Sequence, residues 1–397
     1  MHPGSAAESS GGGTGALFPQ GMNAETTDSG TTGGVYPTVA EWKAIVAEFQ
    51  EPSAARAIWQ LVNTLCPYAF LWYLIHRFLD VSWWAVVPTA ALAGVLLVRV
   101  FIIFHDCGHG SFFKARWAND LVGFLTGLLT FTPYYHWRWE HALHHATTGD
   151  LDRRGVGDVW TMTVQEYLES SRWRRFAYKL ARNPVVLFVI APFFLFVVAQ
   201  RFPKGRADAR ERHSVWYMNL AILGFVLGLG WIFGPVRYLV VQSIVIGVAG
   251  AVGVWMFYVQ HQFEDAYWER HEDWDFTVAA LQGSSFYKLP RVLQWISGNI
   301  GYHHIHHLSS RIPNYNLERC HESHPVFRQI KPITLRTSLK SLGYRLWDEE
   351  LRKLVGYRRM REARRRLAAE KAAGSAKTTG PVPKDPDAGS GPGHATR

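Results

Sequence analysis

The chain has few cysteines and few charged residues for its length. Of its 397 residues only Cys66, Cys107 and Cys320 are cysteines, and they form neither a Cys-x-x-Cys pair nor an iron–sulfur spacing. The sequence therefore predicts no disulfide framework and no iron–sulfur cluster. Charged residues account for 19% of the chain and hydrophobic residues for 48%. No long apolar run precedes residue 61, so we expect no cleavable signal peptide.

The charge balance is basic, with 42 Lys and Arg against 32 Asp and Glu, a net charge of +10. Such a balance is compatible with nucleic-acid binding. Here, however, the basic residues flank the apolar runs, which is typical of proteins that contact a membrane surface. The 17 tryptophans agree with this, because tryptophan concentrates at membrane interfaces. We expect a membrane protein that does not bind nucleic acid.

Six apolar runs indicate how the chain meets the membrane. Four of them approach the roughly 20 residues that cross a hydrocarbon core, at about 61–79, 84–103, 215–233 and 237–259. Short turns join these four runs into two predicted hairpins. The run 121–135 is too short to span. The run 184–202 contains Pro184 and Pro192 and has basic residues on both flanks, so we expect it to be embedded without crossing.

The predicted fold is an all-α integral membrane protein. It has four transmembrane helices in two hairpins, two non-spanning apolar helices and a cytosolic helical cap. Its predicted parts are a disordered tail (1–36), an interfacial amphipathic helix (37–60), the membrane domain (61–315), a helical C-terminal region (316–372) and a disordered basic tail (373–397).

Three short clusters contain eight of the 18 histidines: His105-Asp-Cys-Gly-His109, His141-Ala-Leu-His144-His145 and His303-His-Ile-His306-His307. Residues three and four apart share one face of a helix, so each cluster can direct its imidazoles toward one point. A single zinc ion takes three or four protein ligands, and eight imidazoles therefore indicate two metal ions. Imidazole suits iron, zinc, copper and nickel, so the spacing does not identify the metal. Five further histidines lie outside the pattern and are predicted to be structural: His136, His213, His304, His321 and His324.

These clusters and their flanking residues resemble the membrane fatty acid desaturases, especially the acyl-lipid type that includes Δ12 and ω3 enzymes. The matching stretches are His105-Asp-Cys-Gly-His-Gly-Ser-Phe-Phe113, Trp139-Glu-His-Ala-Leu-His-His145, Val259-Gln-His-Gln-Phe-Glu-Asp265 and Gly298-Asn-Ile-Gly-Tyr-His-His-Ile-His-His-Leu308. The resemblance implies two iron ions, O2 as co-substrate and a membrane acyl lipid as substrate, with zinc able to replace iron in recombinant protein. It also implies that His261 is a ninth metal ligand. Relatives with the same clusters hydroxylate or epoxidise, and these activities remain alternatives.

Polar residues near the clusters are candidates for orienting the ligands, because metal-bound histidines use a partner on the other ring nitrogen. The candidates are Asp106, Glu140, Asp150, Asp152 and Asp158, and Asn299 is a candidate for holding a ligand or a water. A membrane metal transporter or sensor is a distant alternative. Transporters place ionisable ligands within spans, whereas these clusters lie at or beyond the ends of the predicted spans.

No flavin, ferredoxin or cytochrome motif occurs in the chain, so electrons are expected from a separate ferredoxin or b-type cytochrome. Basic cytosolic loops would favour the docking of an acidic carrier. We expect the metal site to face the cytosol, and a bacterial inner membrane rather than the endoplasmic reticulum. The sequence makes no prediction of oligomeric state.

Overall fold

The computed structural model describes residues 39–155, 157–204 and 207–378. The predicted tail 1–36 and residues 379–397 lie outside the described residues. The described chain is mostly helical. Its helices are α1 (Val39–Ala47), α2 (Ala54–Phe78), α3 (Trp83–His109), α4 (Arg116–Leu129), α5 (Tyr134–Thr147), α6 (Val164–Glu169), α7 (Arg172–Ala181), α8 (Ala191–Val197), α9 (Ala209–Phe233), α10 (Pro235–His261), α11 (Phe276–Gln282), α12 (Arg291–Ile296), α13 (His303–Leu308), α14 (Asn314–Ser323), α15 (Pro325–Arg328), α16 (Leu335–Ser338) and α17 (Tyr357–Thr378).

Four of these helices, α2, α3, α9 and α10, are long and apolar enough to cross a membrane. They correspond to the four predicted spans, although α2 begins at Ala54 and not near residue 61. Ser53 and Ser82 cap the N-termini of α2 and α3 with their side chains. Gly234, with a φ of 82°, forms the turn between α9 and α10, and Pro235 opens α10, where its missing N–H costs nothing.

The two hairpins pack around α3, the most buried of the four long helices. A Cβ added to Gly94 would lie 2.7 Å from the carbonyl oxygen of Val245, so only glycine allows α3 and α10 to touch at this level. At the far end of the hairpins Arg237 forms an exposed ion pair with Asp80 at 2.7 Å.

Both of the shorter apolar runs are divided into shorter elements, and their failure to span the membrane stays a prediction. Run 121–135 divides into α4 and the start of α5, and the 14 residues of α4 extend about 21 Å, less than a hydrocarbon core. Run 184–202 forms a π-helical turn (Val186–Ile190), α8 and a 3₁₀ turn (Ala199–Arg201). It meets α7 at an angle of 61°, and the bent pair satisfies the length and composition of a span only when taken together.

The expectation of an all-α fold is wrong in detail, because the described residues include five short strands. They are β1 (Met162–Thr163), β2 (Phe286–Lys288), β3 (Pro332–Thr334), β4 (Leu346–Asp348) and β5 (Lys353–Val355). β1 pairs in parallel with β4, β4 pairs antiparallel with β5, and β2 pairs in parallel with β3. Three of the five lie in the region predicted to be helical, 316–372. Strands of two or three residues are too short to show the alternating pattern of a strand.

Candidate metal centre

Each histidine cluster lies on a helix, as its spacing predicts. The first cluster ends α3, the second lies on α5 and the third begins α13. His261 is the last residue of α10. Gly110, in the left-handed conformation with a φ of 69°, ends α3 directly after the first cluster. Four separate elements therefore present imidazoles to one region.

The nine histidines assemble into two groups, in each of which the candidate ligand atoms lie within 4.8 Å of one another. The five-histidine group consists of His105, His109, His141, His145 and His306, and the four-histidine group of His144, His261, His303 and His307. In the first group the Nε2 atoms of His105 and His141 are 3.0 Å apart. The Nε2 atoms of His145 and His306 are also 3.0 Å apart. In the second group His303 Nε2 lies 3.0 Å from His261 Nε2.

Three of the nine imidazoles have a partner that holds their proton on Nδ1. His105 donates to Asp106 Oδ1 at 3.1 Å, His144 donates to Asp158 Oδ1 at 2.8 Å, and His261 donates to the Gly283 carbonyl at 3.3 Å. Their Nε2 atoms therefore carry lone pairs. Those of His144 and His261 face each other across 3.2 Å with no proton to share, an arrangement that a cation between them would stabilise.

Burial favours the neutral form of five of these imidazoles. Desolvation, followed by the charge of neighbouring imidazoles, lowers the pKa of His141 and His145 well below the usual value. The same causes lower the pKa of His303, His306 and His307. The neutral form is the one that binds a metal. His109 Nε2 is buried and has no hydrogen-bond partner among the described residues. The donor set thus fits two metal ions held by histidine.

Two of the candidate orienting residues, Asp106 and Asp158, lie against histidines of the two groups. Asp106 Oδ2 in turn accepts from the backbone and side-chain amides of Asn314, at 2.6 and 2.8 Å. Gly157 brings Asp158 to α5: its φ is 72°, and a Cβ there would lie 3.0 Å from His144 Cβ. The roles of Asn314 and of Gly283 were not predicted, because no local spacing relates them to the histidine clusters.

The other four candidates have different partners. Glu140 contacts Lys204 in an ion pair and lies 4.0 Å from His136. Asn299 donates to the carbonyl of Asn314 at 3.1 Å, so it acts on a neighbour of Asp106 and not on a histidine. Asp150 accepts from His271 at 2.8 Å. Asp152 pairs with Arg270 at 2.8 Å. None of the four hydrogen-bonds to one of the nine histidines in the described part of the chain.

The histidines outside the pattern stay outside both groups. His304 Nε2 and His321 Nδ1 lie 3.0 Å apart in a buried pair, packed on the ring of Phe286. His304 thus faces away from the groups although His303 and His306 on the same short helix belong to them. His213 is exposed.

An apolar cavity of about 270 Å³ extends from the histidines between α3 and α10. Two of its lining residues, Leu97 and Ile246, lie within one helical turn of the contact of Gly94 with Val245. The lining residues are Leu97, Val98, Phe101, Ile102, Thr130, Trp137, Leu195, Phe196, Ile246, Ala249, Gly250, Gly253, Val254, Met256, Phe257 and Ile300, with the polar Glu140, Gln200, Lys204 and Gln260, the histidines His105, His141 and His303, and Gly157. The apolar cavity therefore reaches both histidine groups.

Comparison with known proteins agrees with this geometry. The model of the family described as "Fatty acid desaturase" matches residues 82–333. The chain is 47% identical over 313 residues to a "Fatty acid desaturase" of Bacillus subtilis (strain 168), covering 79% of this chain and 89% of that protein. It is 28% identical over 330 residues to an "sn-1 acyl-lipid omega-3 desaturase (ferredoxin)" of Nostoc sp. (strain 36), covering 80% and 86%.

A third relative is an "sn-1 oleoyl-lipid 12-desaturase" of Picosynechococcus sp. (strain ATCC 27264 / PCC 7002 / PR-6), 28% identical over 255 residues, which cover 61% of this chain and 69% of that protein. The family match extends over more than half of the chain, from the start of α3 to β3, and contains all three clusters and His261. By these matches the chain belongs to the fatty acid desaturase family and is an oxidoreductase of lipid metabolism.

Proposed function

We propose that this protein is an oxygen-dependent di-iron desaturase that introduces a cis double bond into the acyl chain of a membrane lipid. The observation that carries the proposal is the contact of one apolar cavity with both histidine groups. His105 and His141 of the five-histidine group and His303 of the four-histidine group line the cavity, so an acyl chain there passes beside both proposed metals.

The nine grouped histidines are the proposed ligands of the two iron ions, five at one and four at the other. When bound, the two iron ions would supply the oxygen activation needed to remove hydrogen from an unactivated methylene pair. The chain's own contribution is to orient and to exclude water. Asp106 and Asp158 fix the rings of His105 and His144, because a ligand's other nitrogen sets its tautomer.

The apolar cavity suits an acyl chain in its shape and its lining. Phe101, Phe257 and Leu195 provide the apolar contacts that bury methylene groups. Trp137 stacks on His141, with ring centroids 4.4 Å apart, and so covers one face of that imidazole with an apolar ring. Gly108 permits this packing, since a Cβ there would lie 2.9 Å from the Trp137 ring.

The proposed setting is a bacterial inner membrane with the metal site on the cytosolic side. The four long helices form two hairpins, and both α3 and α10 end at the histidines. An even number of crossings between the first cluster and the third keeps them on one side. A broken span made from α7 and the run after it would change this parity.

The proposed electron donor is a separate carrier, a ferredoxin or a b-type cytochrome. The printed name of the Nostoc relative includes ferredoxin, and the net charge of +10 would attract an acidic carrier.

The proposal is tested by expressing the chain in a bacterium whose lipids lack the product and analysing acyl chains by mass spectrometry. We expect new double bonds with the wild type and none with His306→Ala. The matched control is His213→Ala, which removes an exposed histidine outside both groups and should retain product formation. Hydroxylated or epoxidised chains in place of double bonds would contradict desaturation. Unchanged product with His306→Ala would contradict the metal site.

A further inference from the structure

A second, polar cavity of about 810 Å³ lies against the opposite face of α3. Arg99 lines it, whereas Leu97 and Phe101 line the apolar cavity and lie about 200° away around the helix. The walls of the polar cavity come from α2, α3, β2, α12, α14, α15 and β3. The proposed desaturation chemistry makes no use of this cavity.

Two buried glutamines in its wall have unused hydrogen-bonding atoms. Gln60 is 4% exposed and Gln294 is 8% exposed, and both line the polar cavity. Gln60 Nε2 and both side-chain polar atoms of Gln294 have no hydrogen-bond partner among the described residues. Buried amides are almost always hydrogen-bonded in folded proteins. The wall of the polar cavity therefore has unused donors and an unused acceptor for a ligand that accepts and donates hydrogen bonds.

The charged residues of the lining are mainly basic. Four cations, Arg99, Lys288, Arg291 and Arg328, face two carboxylates, Glu318 and Glu322, a difference of +2. Burial lowers the pKa of His321, so this lining histidine adds no charge at neutral pH. A ligand with a negatively charged group suits this balance, and the two carboxylates limit how much negative charge it carries.

Arg99 is held in the wall of the polar cavity, ten residues before α3 ends at His109. Its Nε donates to Thr64 Oγ1 at 2.9 Å, and its guanidinium stacks on the ring of Trp295 at 4.2 Å. α3 has 27 residues and extends about 40 Å, some 10 Å more than a hydrocarbon core. Gln60 is in the second turn of α2. Trp295, a residue type that concentrates at membrane interfaces, is 41% exposed.

We propose that the polar cavity binds the phosphate-bearing headgroup of a membrane glycerophospholipid, at a site separate from the acyl cavity. Arginine and lysine bind the phosphate oxygens with charge-assisted hydrogen bonds. The amides of Gln60 and Gln294 bind the ester or glycerol oxygens. A soluble phosphate ester offers the same phosphate chemistry, but it lacks the acyl chains that would keep the lipid beside α2.

The test measures the retention of dioleoyl phosphatidylglycerol by native mass spectrometry of the full chain after delipidation. We expect one lipid retained per wild-type chain. Lys288→Gln with Arg291→Gln should weaken its binding about fivefold for each cation removed. The matched control is Arg336→Gln with Lys340→Gln, which removes two exposed cations outside the cavity and should leave retention unchanged. Both variants leave the apolar cavity intact, so lipid held there as the substrate of the proposed desaturation would be retained equally by both, and only a loss in the Lys288→Gln, Arg291→Gln variant reports on the polar cavity.

A second variant, Gln60→Met, distinguishes a loss of lipid binding from misfolding. Gln60→Met keeps the side-chain volume and removes the unused amide, so it should raise the Tm of the delipidated protein and reduce the gain in Tm caused by the lipid. Equal lipid retention by the wild type and the double variant would overturn the proposal. So would displacement of the lipid by an equal concentration of glycerol 3-phosphate, which indicates a soluble ligand. Normal lipid retention by the Lys288→Gln, Arg291→Gln variant, together with a raised KM of that variant for the electron carrier, would also overturn it.

Discussion

His144 donates a hydrogen bond from Nδ1 to Asp158 Oδ1 at 2.8 Å, and this contact fixes the direction of its Nε2. Partners of metal-bound histidines are worth about 10–100-fold in metal affinity or activity. We therefore expect Asp158→Asn to lower iron affinity by about that factor, because the neutral amide is a weaker acceptor than the carboxylate. Iron per folded chain of iron-reconstituted protein, measured by plasma mass spectrometry across a chelator series, checks this.

The matched control is Asp152→Asn. Asp152 lies between α5 and β1, as Asp158 does, but it forms a surface ion pair with Arg270. It should leave the iron content unchanged. Equal iron affinities for wild type and Asp158→Asn would show that the contact does not support the metal.

Gly253 faces open space inside the apolar cavity. It lines that cavity, and a Cβ added to it meets no atom within 4 Å. A leucine side chain at 253 would occupy the space of several methylenes, so Gly253→Leu should reduce conversion of long acyl chains more than tenfold while the protein still folds. Product profiling over a series of substrate chain lengths measures this.

Gly247→Leu is the control for that experiment. Gly247 lies on the same helix and also has open space around it, but it does not line the cavity. Its variant should retain the wild-type products. If both leucine variants gave the same profile, the acyl chain would not pass Gly253.

His321 is predicted to be structural, and its burial adds a cost to its removal. His321→Ala leaves His304 Nε2 unpaired in the interior, since the two rings bond at 3.0 Å. An unsatisfied buried group costs about 1–3 kcal/mol. We expect a lower Tm with unchanged iron per folded chain. Iron loss equal to that of His306→Ala would instead make the His304–His321 pair part of the metal site.

The local spacing of the histidines was sufficient to single out eight of the nine candidate ligands, because a helix places residues three and four apart on one face, whereas His261 was a candidate only through the family resemblance. The partners of those ligands were only half predictable. Asp106 and Asp158 are close in sequence to the clusters, but so are Glu140 and Asp150, which bond elsewhere. Asn314 lies 208 residues from Asp106, and only the folded chain relates them.

The limits of prediction were similar for the fold. Span length predicted the four long helices, since it follows from the thickness of the membrane. That the two shorter apolar runs do not span stays a prediction, which rests on their length and on the prolines within 184–202. The pairing of β1 with β4 joins Met162 to Leu346. The pairing of such distant short segments depends on tertiary packing, so no local sequence pattern predicts it.

The segment between α7 and α9 is expected to enter the membrane and return. Cysteines introduced at Arg174 and Lys204, both exposed, in a Cys66→Ser background should be labelled from the same side by a membrane-impermeant reagent. Val81→Cys in the first hairpin turn, where Val81 is 76% exposed, should be labelled from the opposite side. Opposite labelling at 174 and 204 would make the bent pair a fifth span and place the third cluster across the membrane from the first.

Two metal ions per chain are expected, because the nine histidines separate into groups of five and four and each group is sufficient for one ion. In imidazole sites divalent zinc generally binds more tightly than ferrous iron, so overexpressed protein should contain zinc. Zinc has no redox chemistry, and the zinc form should therefore be folded and inactive.

Exchange of that zinc for ferrous iron, with oxygen and a reduced ferredoxin, should restore desaturation, and His144→Ala should lower the metal content toward one ion. His324→Ala, outside both groups, is the control and should still bind two. Elemental analysis and lipid mass spectrometry of the same samples make the comparison. Turnover by the zinc form would contradict the redox role of the metals. One metal ion per chain in fully active enzyme would contradict the assignment of the four-histidine group, since the five-histidine group alone would then be sufficient for catalysis.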